Sequence, residues 1–218
     1  MNEDNKPAVW EMVVVHRVFR REFRLAPEFV RQARPGDAAR ATLLAAYVNE
    51  MLTGLHHHHE GEDKLLWPVL LTRVTLEAEL VRTMEAQHDR VAAHITALER
   101  LLPRWAESAS AELRDQVADA LDGLHADLLP HLDQEEKEIL PLVVEHMTKA
   151  EWDNLSESAR GQIPKDRLLI NLGALLEDAT PWEREAFLGL MPGAARLLWK
   201  VVGRRQYRNE VARIRGAA

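Results

Sequence analysis

One stretch constrains this chain more than any other. Residues 56–68 read His56-His57-His58-His59-Glu60-Gly61-Glu62-Asp63-Lys64-Leu65-Leu66-Trp67-Pro68, with four imidazoles and three carboxylates in the first eight positions. On a helix, residues i and i+4 lie one turn apart on the same face. A His-x-x-x-Glu pair in that geometry is a two-pronged metal claw. A solvated polar patch would also explain a histidine run, and a second copy is what favours the claw. The stretch from His131 to Pro141, HLDQEEKEILP, matches the first at a shift of 73 positions. His58 falls on His131, Glu62 on Glu135, Asp63 on Glu136, Lys64 on Lys137 and Pro68 on Pro141. The match selects the register. His58 has both a carboxylate at i+4 and a counterpart, and His59 with Asp63 is the competing pairing.

The two stretches sit on the second and fourth of four amphipathic segments. The first should run from about Pro7 to Arg34, with Val9, Met12, His16, Phe19 and Phe23 on one stripe and Pro27 interrupting or kinking it. Arg34-Pro35-Gly36 is a turn, and Asp37 is a good N-cap for the second segment. Pro68 removes the hydrogen bond to the Lys64 carbonyl, which predicts a kink just beyond the carboxylate. The third segment starts near Thr75, carries His88 on its apolar stripe and should stop at Leu102-Pro103. The fourth starts near Ser110. His16 and His88 are 72 positions apart, and a methionine stands one turn before each, Met12 and Met84. A duplicated helical hairpin about a pseudo-twofold axis accounts for this. The expected fold is all-α, an antiparallel up-down four-helix bundle over residues 1–146 with ligands converging in its core.

Residues 147–218 should form additional C-terminal helices. Thr148 and Thr180 open capping boxes, while Gly161 and Met191-Pro192-Gly193 are breaks. From Arg196 to Ala218 seven basic residues face one acidic residue, with Leu197, Leu198, Val201 and Val202 set against Arg204, Arg205 and Arg208. This tail reads either as helices folded against the acidic bundle or as an interaction segment.

Charge and composition remove several classes of function. With 35 acidic and 28 basic residues, net −7, the whole chain is not built to bind nucleic acid. The absence of cysteine excludes disulfides and thiolate-bound metal clusters. No apolar run approaches the ~20 residues of a membrane span, and Met1 to Pro7 lacks the form of a signal peptide. A cytoplasmic protein is the expectation.

The candidate ligands are His16, His58, Glu62, His88, His131 and Glu135. Two carboxylates inside an apolar bundle are costly without compensation. Two divalent cations would offset that charge. Imidazole and carboxylate without sulfur suit iron, manganese or zinc. Carboxylates bridging from the two homologous helices would hold the ions roughly 3.5–4 Å apart.

A lone helical His followed by His-x-x-x-Glu, the whole repeated, with proline six residues after each Glu, resembles the hemerythrin-like (HHE cation-binding) family over residues 7–146. The resemblance implies the up-down bundle and a non-haem di-iron centre, oxo- or hydroxo-bridged, with those six residues as ligands. Zinc or manganese is the less favoured metal. It also exposes a departure. Oxygen carriers of the family place two histidines four apart on the third helix, giving one iron three imidazoles and the other two. Met84 and Ala92 stand at those positions around His88, so a fifth histidine is missing from the pattern. An even sharing of four imidazoles argues for reaction with O2, H2O2 or NO, as in oxidative or nitrosative stress defence, rather than reversible carriage. Peroxide turnover is the expected activity. The alternative is an iron or oxygen sensor, or an iron store, without turnover.

Other residues carry weaker signals. Glu85 with His88 makes one ferritin-type Glu-x-x-His, a plan that needs two. Tyr47 lies near the ligand face and reads as core or as an assisting residue. His94 and His125 fall about 120° off that face at ~100° per residue, and His146 lies far along the fourth helix. His56, His57 and His59 are expected around the ligands or in solvent, and Met12 and Met84 packed over them.

Overall fold

The long amphipathic segments do form four long helices. A computed structural model describes residues 6–216. The reading of Met1 to Pro7 as lacking a signal falls mostly on residues 1–5, outside the described residues, as do 217 and 218 at the end of the basic tail. The bundle consists of α1 (Trp10–Arg31), α2 (Ala38–Leu65), α3 (Trp67–Arg73), α4 (Ala78–Ser108) and α5 (Ala111–Gln134). A π-helical turn, Glu135–Ile139, then leads into α6 (Leu140–His146). The Asp37 carboxylate caps α2 by accepting from the Arg40 N–H, and the Ser110 hydroxyl caps α5 by accepting from Leu113.

Prolines shape the helices unevenly. Pro68 falls in the first turn of α3, so the second long helix breaks at Leu66, just beyond Glu62. At the matching place, Pro141 cannot donate to Lys137. The Leu140 N–H instead reaches back five residues to the Glu135 carbonyl, and the helix continues through a π turn. Pro27 and Pro103 do not end their helices. Beyond Pro103, Trp105 is buried and holds the last turn of α4 on the core, while the carbonyl freed by the proline belongs to exposed Glu99. The expected stop at Leu102-Pro103 is therefore overridden by packing.

α5 lies along both α1 and α4, and α2 lies along α4, so neighbours run antiparallel in an up-down bundle. The α1–α5 and α2–α4 interfaces are similar in extent, as a pseudo-twofold axis requires. The α1–α2 interface is much shorter than its counterpart between α4 and α5. Apolar side chains form two clusters. One runs from Phe19, Leu55, Val91 and Leu128 toward the α4–α5 turn. The other holds Met12, Trp67, Met84, Ile139 and Trp152. The predicted ligand positions fall between them in all four helices.

The remaining chain is helical: α7 (Lys149–Gly161), a 3-10 turn at Lys165–Arg167, α8 (Leu168–Glu177), α9 (Pro181–Leu190), α10 (Gly193–Leu198), a second π turn at Trp199–Gly203, and α11 (Arg204–Arg215). α7 packs on α2, where a Cβ added to Gly61 would sit 3.2 Å from Leu155. α8 and α11 pack on each other and over the short α1–α2 interface. Polar contacts tie them down. Arg215 pairs with Glu22 at 2.9 Å and Glu177 at 2.6 Å, Tyr47 donates to Glu22 at 2.5 Å, and Arg167 pairs with Glu50 at 2.6 Å. Ile214 enters the bundle core. The aliphatic stripe of the tail is not its inner face: Trp199 and Gly203 are buried there, while Leu197, Leu198, Val201 and Val202 are exposed. Among the described residues no helix is long and apolar enough to cross a membrane.

The α8–α11 contact depends on Gly173. A Cβ there would lie 2.2 Å from Cγ and 2.7 Å from Cβ of Tyr207, atoms that cannot swing away. Gly173→Ala should therefore destabilise the protein by about 1–3 kcal/mol, read from urea unfolding. Gly189→Ala in α9, with nothing within 4 Å, should be neutral or slightly stabilising.

Candidate metal centre

Between the two apolar clusters the four helices deliver His16 from α1, His58, His59 and Glu62 from α2, His88 from α4, His131 from α5, and Glu135 from the π turn. Glu62, Glu135, His16 and His131 have no exposed side-chain surface, and His58 retains 10%. Their donor atoms form two groups. His16, His58, Glu62 and Glu135 make one, and His59, His88, His131 and Glu62 the other, with the atoms of each group within 4.8 Å of one another.

The carboxylates lie between the groups. Glu62 has Oε1 3.3 Å from His58 Nε2 and Oε2 3.5 Å from His88 Nε2. Glu135 has Oε2 3.4 Å from His16 Nε2 and 3.7 Å from His131 Nε2. All six sequence-predicted residues are thus brought together, in the register that places His58 above Glu62. The geometry also supplies a residue that the sequence reading left at the periphery. His59 is buried, its ring stacks on His88 at 4.0 Å and 9°, and it joins the second group. Five imidazoles, not four, surround the carboxylates, shared three and two. The fifth comes from α2 and not from the positions one turn either side of His88. Its signal was present in the histidine run, but adjacent helical residues differ by ~100°, which argues against a shared site unless the site lies between two grooves.

The remaining weak candidates lie elsewhere. Glu85 and His56 are exposed. Tyr47 is engaged with Glu22 under α11. His94 pairs with Asp127 at 2.7 Å, and His57, His125 and His146 are half-buried outside both groups. Met12 and Met84 are buried in the apolar cluster on the α3 and α6 side.

Outer polar groups orient the rings. His88 Nδ1 bonds Asp63 Oδ1 at 2.7 Å, which also accepts from Trp67 Nε1 at 3.0 Å. His16 Nδ1 bonds Glu136 Oε1 at 2.9 Å, and Arg20 holds that oxygen at 2.5 Å. Asp63 and Glu136 are the pair matched by the 73-residue shift. His131 Nδ1 bonds Gln87 Oε1 at 3.0 Å, and Gln87 donates to Gln134 at 2.9 Å. An acceptor on Nδ1–H leaves the Nε2 lone pair pointing inward, the tautomer a metal needs.

Seven buried donor atoms at this centre have no protein hydrogen-bond partner: Nε2 of His59, His88 and His131, and both oxygens of Glu62 and of Glu135. Leaving a buried polar atom unsatisfied costs about 1–3 kcal/mol. Burial, then repulsion from Glu135, holds the Glu62 carboxyl well above the usual carboxylate range. Burial, then the neighbouring imidazoles, pushes His58 and His59 well below the usual histidine range and His131 down to about 2. The set fits one pair of divalent cations, which would take every orphaned lone pair and offset both carboxylates.

A family model described as hemerythrin HHE cation binding domain matches residues 8–143. No curated protein and no solved structure matches the chain.

Two outcomes follow from this geometry. Asp63→Asn and Glu136→Gln should each lower metal affinity about 10- to 100-fold in a chelator competition, with unchanged helical content. In the metal-free protein, His58, His59 and His131 are neutral when folded but protonate near 6.5 when unfolded. Their contribution is whole above that pH and is lost as pH falls. Glu62 has the opposite sign, its contribution being lost as pH rises from about 4.5 through its raised value. Three groups outweigh one, so the urea midpoint of metal-free protein should fall from pH 7 to pH 5.

Proposed function

Because the chain belongs to the hemerythrin HHE cation-binding family, we propose that it holds two non-haem iron ions in the bundle core and uses them to bind or react with O2, H2O2 or NO. The observation that carries this reading is the set of seven converging donor atoms without protein partners. His16, His58, Glu62 and Glu135 would hold one ion, and His59, His88, His131 and Glu62 the other. When bound, two ferrous ions supply electrons to a small oxidant. The chain's own residues do the rest. Asp63, Glu136 and Gln87 fix the imidazole tautomers. Met12, Met84, Trp67 and Phe19 line the two apolar clusters beside the site, which keep bulk water out and favour small uncharged molecules. The four-helix bundle carries the centre, and α7, α8 and α11 brace α1 and α2 around it. A defensive role against oxidative or nitrosative stress is the physiological setting this chemistry suits.

His59 favours a second reading. Four evenly shared imidazoles would favour reaction over carriage. A division of three and two is the one that the resemblance associates with oxygen carriers, so reversible O2 binding returns as the competing activity. Storage of iron in quantity is disfavoured, because the donors form one closed pair of groups and not a chain of carboxylates.

Iron analysis of loaded protein should find about two ions per chain. One or fewer, with His58→Ala and His131→Ala leaving the value unchanged, ends the di-iron reading. Stopped-flow spectra of the diferrous protein decide between the activities. Rapid irreversible oxidation by O2 or peroxide supports reaction, and an adduct that dissociates under vacuum and is lost in His59→Ala supports carriage. Inertness toward O2, H2O2 and NO points to a sensor or store.

A further inference from the structure

The chain runs helical without a break from Gly193 to Arg215 through α10, the second π turn and α11. Its inner face is taken by Trp199, Gly203 and Ile214, all buried, with Tyr207 against α8. The opposite face is apolar and bare. Leu197 is 63% exposed, Leu198 50%, Val201 69% and Val202 45%. At ~100° per residue these four side chains fall within about 140° of arc, a stripe over two turns. Aliphatic side chains so exposed in one continuous row mark a binding surface more often than scattered exposure does.

Cations frame the stripe. Arg196, Lys200 and Arg204 follow one edge, and Arg205 and Arg208 continue the same face into the next turns. All five are exposed, and among the described residues none of them enters an ion pair, whereas Arg213 and Arg215 do. The tail therefore divides. Its last turn is spent on docking to α1 and α8, and its first half keeps aliphatics and charges outward. The rest of the chain carries the acidic excess that brings the net charge to −7, so an anionic surface is attracted to this face and repelled by the bundle.

We propose that this face lies on an anionic lipid surface, Leu197, Leu198, Val201 and Val202 entering the headgroup boundary while the five cations meet lipid phosphates. A bilayer suits the shape: all four aliphatics stand out from one side of a single helix, and interfacial helices bind through shallow apolar burial plus cationic attraction. A second copy of the chain would bring its own acidic excess, and it is the rival occupant.

The test is co-sedimentation of the full, iron-loaded protein with vesicles of phosphatidylcholine alone and with 30% phosphatidylglycerol (an arbitrary charge density of about one lipid in three). Binding is expected to the anionic vesicles only, and to fall with added salt. Val201→Glu with Val202→Glu, and separately Lys200→Glu with Arg204→Glu, should each weaken it by about tenfold or more. These side chains are exposed, so helical content and iron per chain should not change; a loss of either would prompt the milder Lys200→Gln with Arg204→Gln, expected to weaken binding about fivefold or more. No binding at low salt, or equal binding by the variants, overturns the proposal. So does a dimer in sedimentation equilibrium that the same variants dissolve, which would assign the face to a second copy.

Discussion

Two carboxylates buried together are what the rest of this structure answers to. Glu62 and Glu135 have no exposed side-chain surface and no protein donor on any of their four oxygens. Burial, with Glu135 alongside, raises the cost of ionising Glu62, and burial keeps His58, His59 and His131 from accepting protons to relieve it. A bundle selected for stability alone would fill this layer with leucine, as it does one turn away at Leu55 and Leu128. The arrangement makes sense only if cations complete it.

Around that layer the polarity is ordered outward. The carboxylates are met by imidazole Nε2 atoms, the imidazole Nδ1 atoms by Asp63, Glu136 and Gln87, and those in turn by Trp67, Arg20 and Gln134. Each shell fixes the rotamer of the one inside it. The two halves of the duplication use the same device at matched positions but close it differently, through an indole on one side and a guanidinium on the other. The symmetry is thus a property of the ligand layer and weakens away from it.

The asymmetry has a consequence for the C-terminal helices. Because α1 and α2 meet over a shorter stretch than α4 and α5, a groove remains on that side, and α8 and α11 occupy it. Glu22, Tyr47 and Arg215 form its polar lining, and Ile214 its apolar anchor. Docking through the last turn of the chain fixes which side of the preceding helix faces inward, and that leaves the aliphatic stripe on the outside.

Much of this was legible in the sequence because the signals are local. A 73-residue repeat of His-x-x-x-Glu, Asp37 as a cap, and the two capping boxes at Thr148 and Thr180 depend on spacing and on hydrogen bonds made within a turn, and the structure contains each of them. Six residues of the centre follow from the same periodicity. Tertiary packing decided the rest. Trp105 carries α4 past Pro103, and one of two equivalent prolines produces a break while the other produces a π turn. Most of all, packing decided His59. Helical periodicity allows one inward direction per turn, and His58 fills it. α2, however, lies between α1 and α4, so two directions about 100° apart both point inward, His58 toward His16 and His59 onto the His88 ring. The counterpart of His59 in the repeat is Leu132, buried and apolar. Which neighbour a helix has on either side is not written in its own sequence, and here that neighbour determines how many imidazoles the centre has.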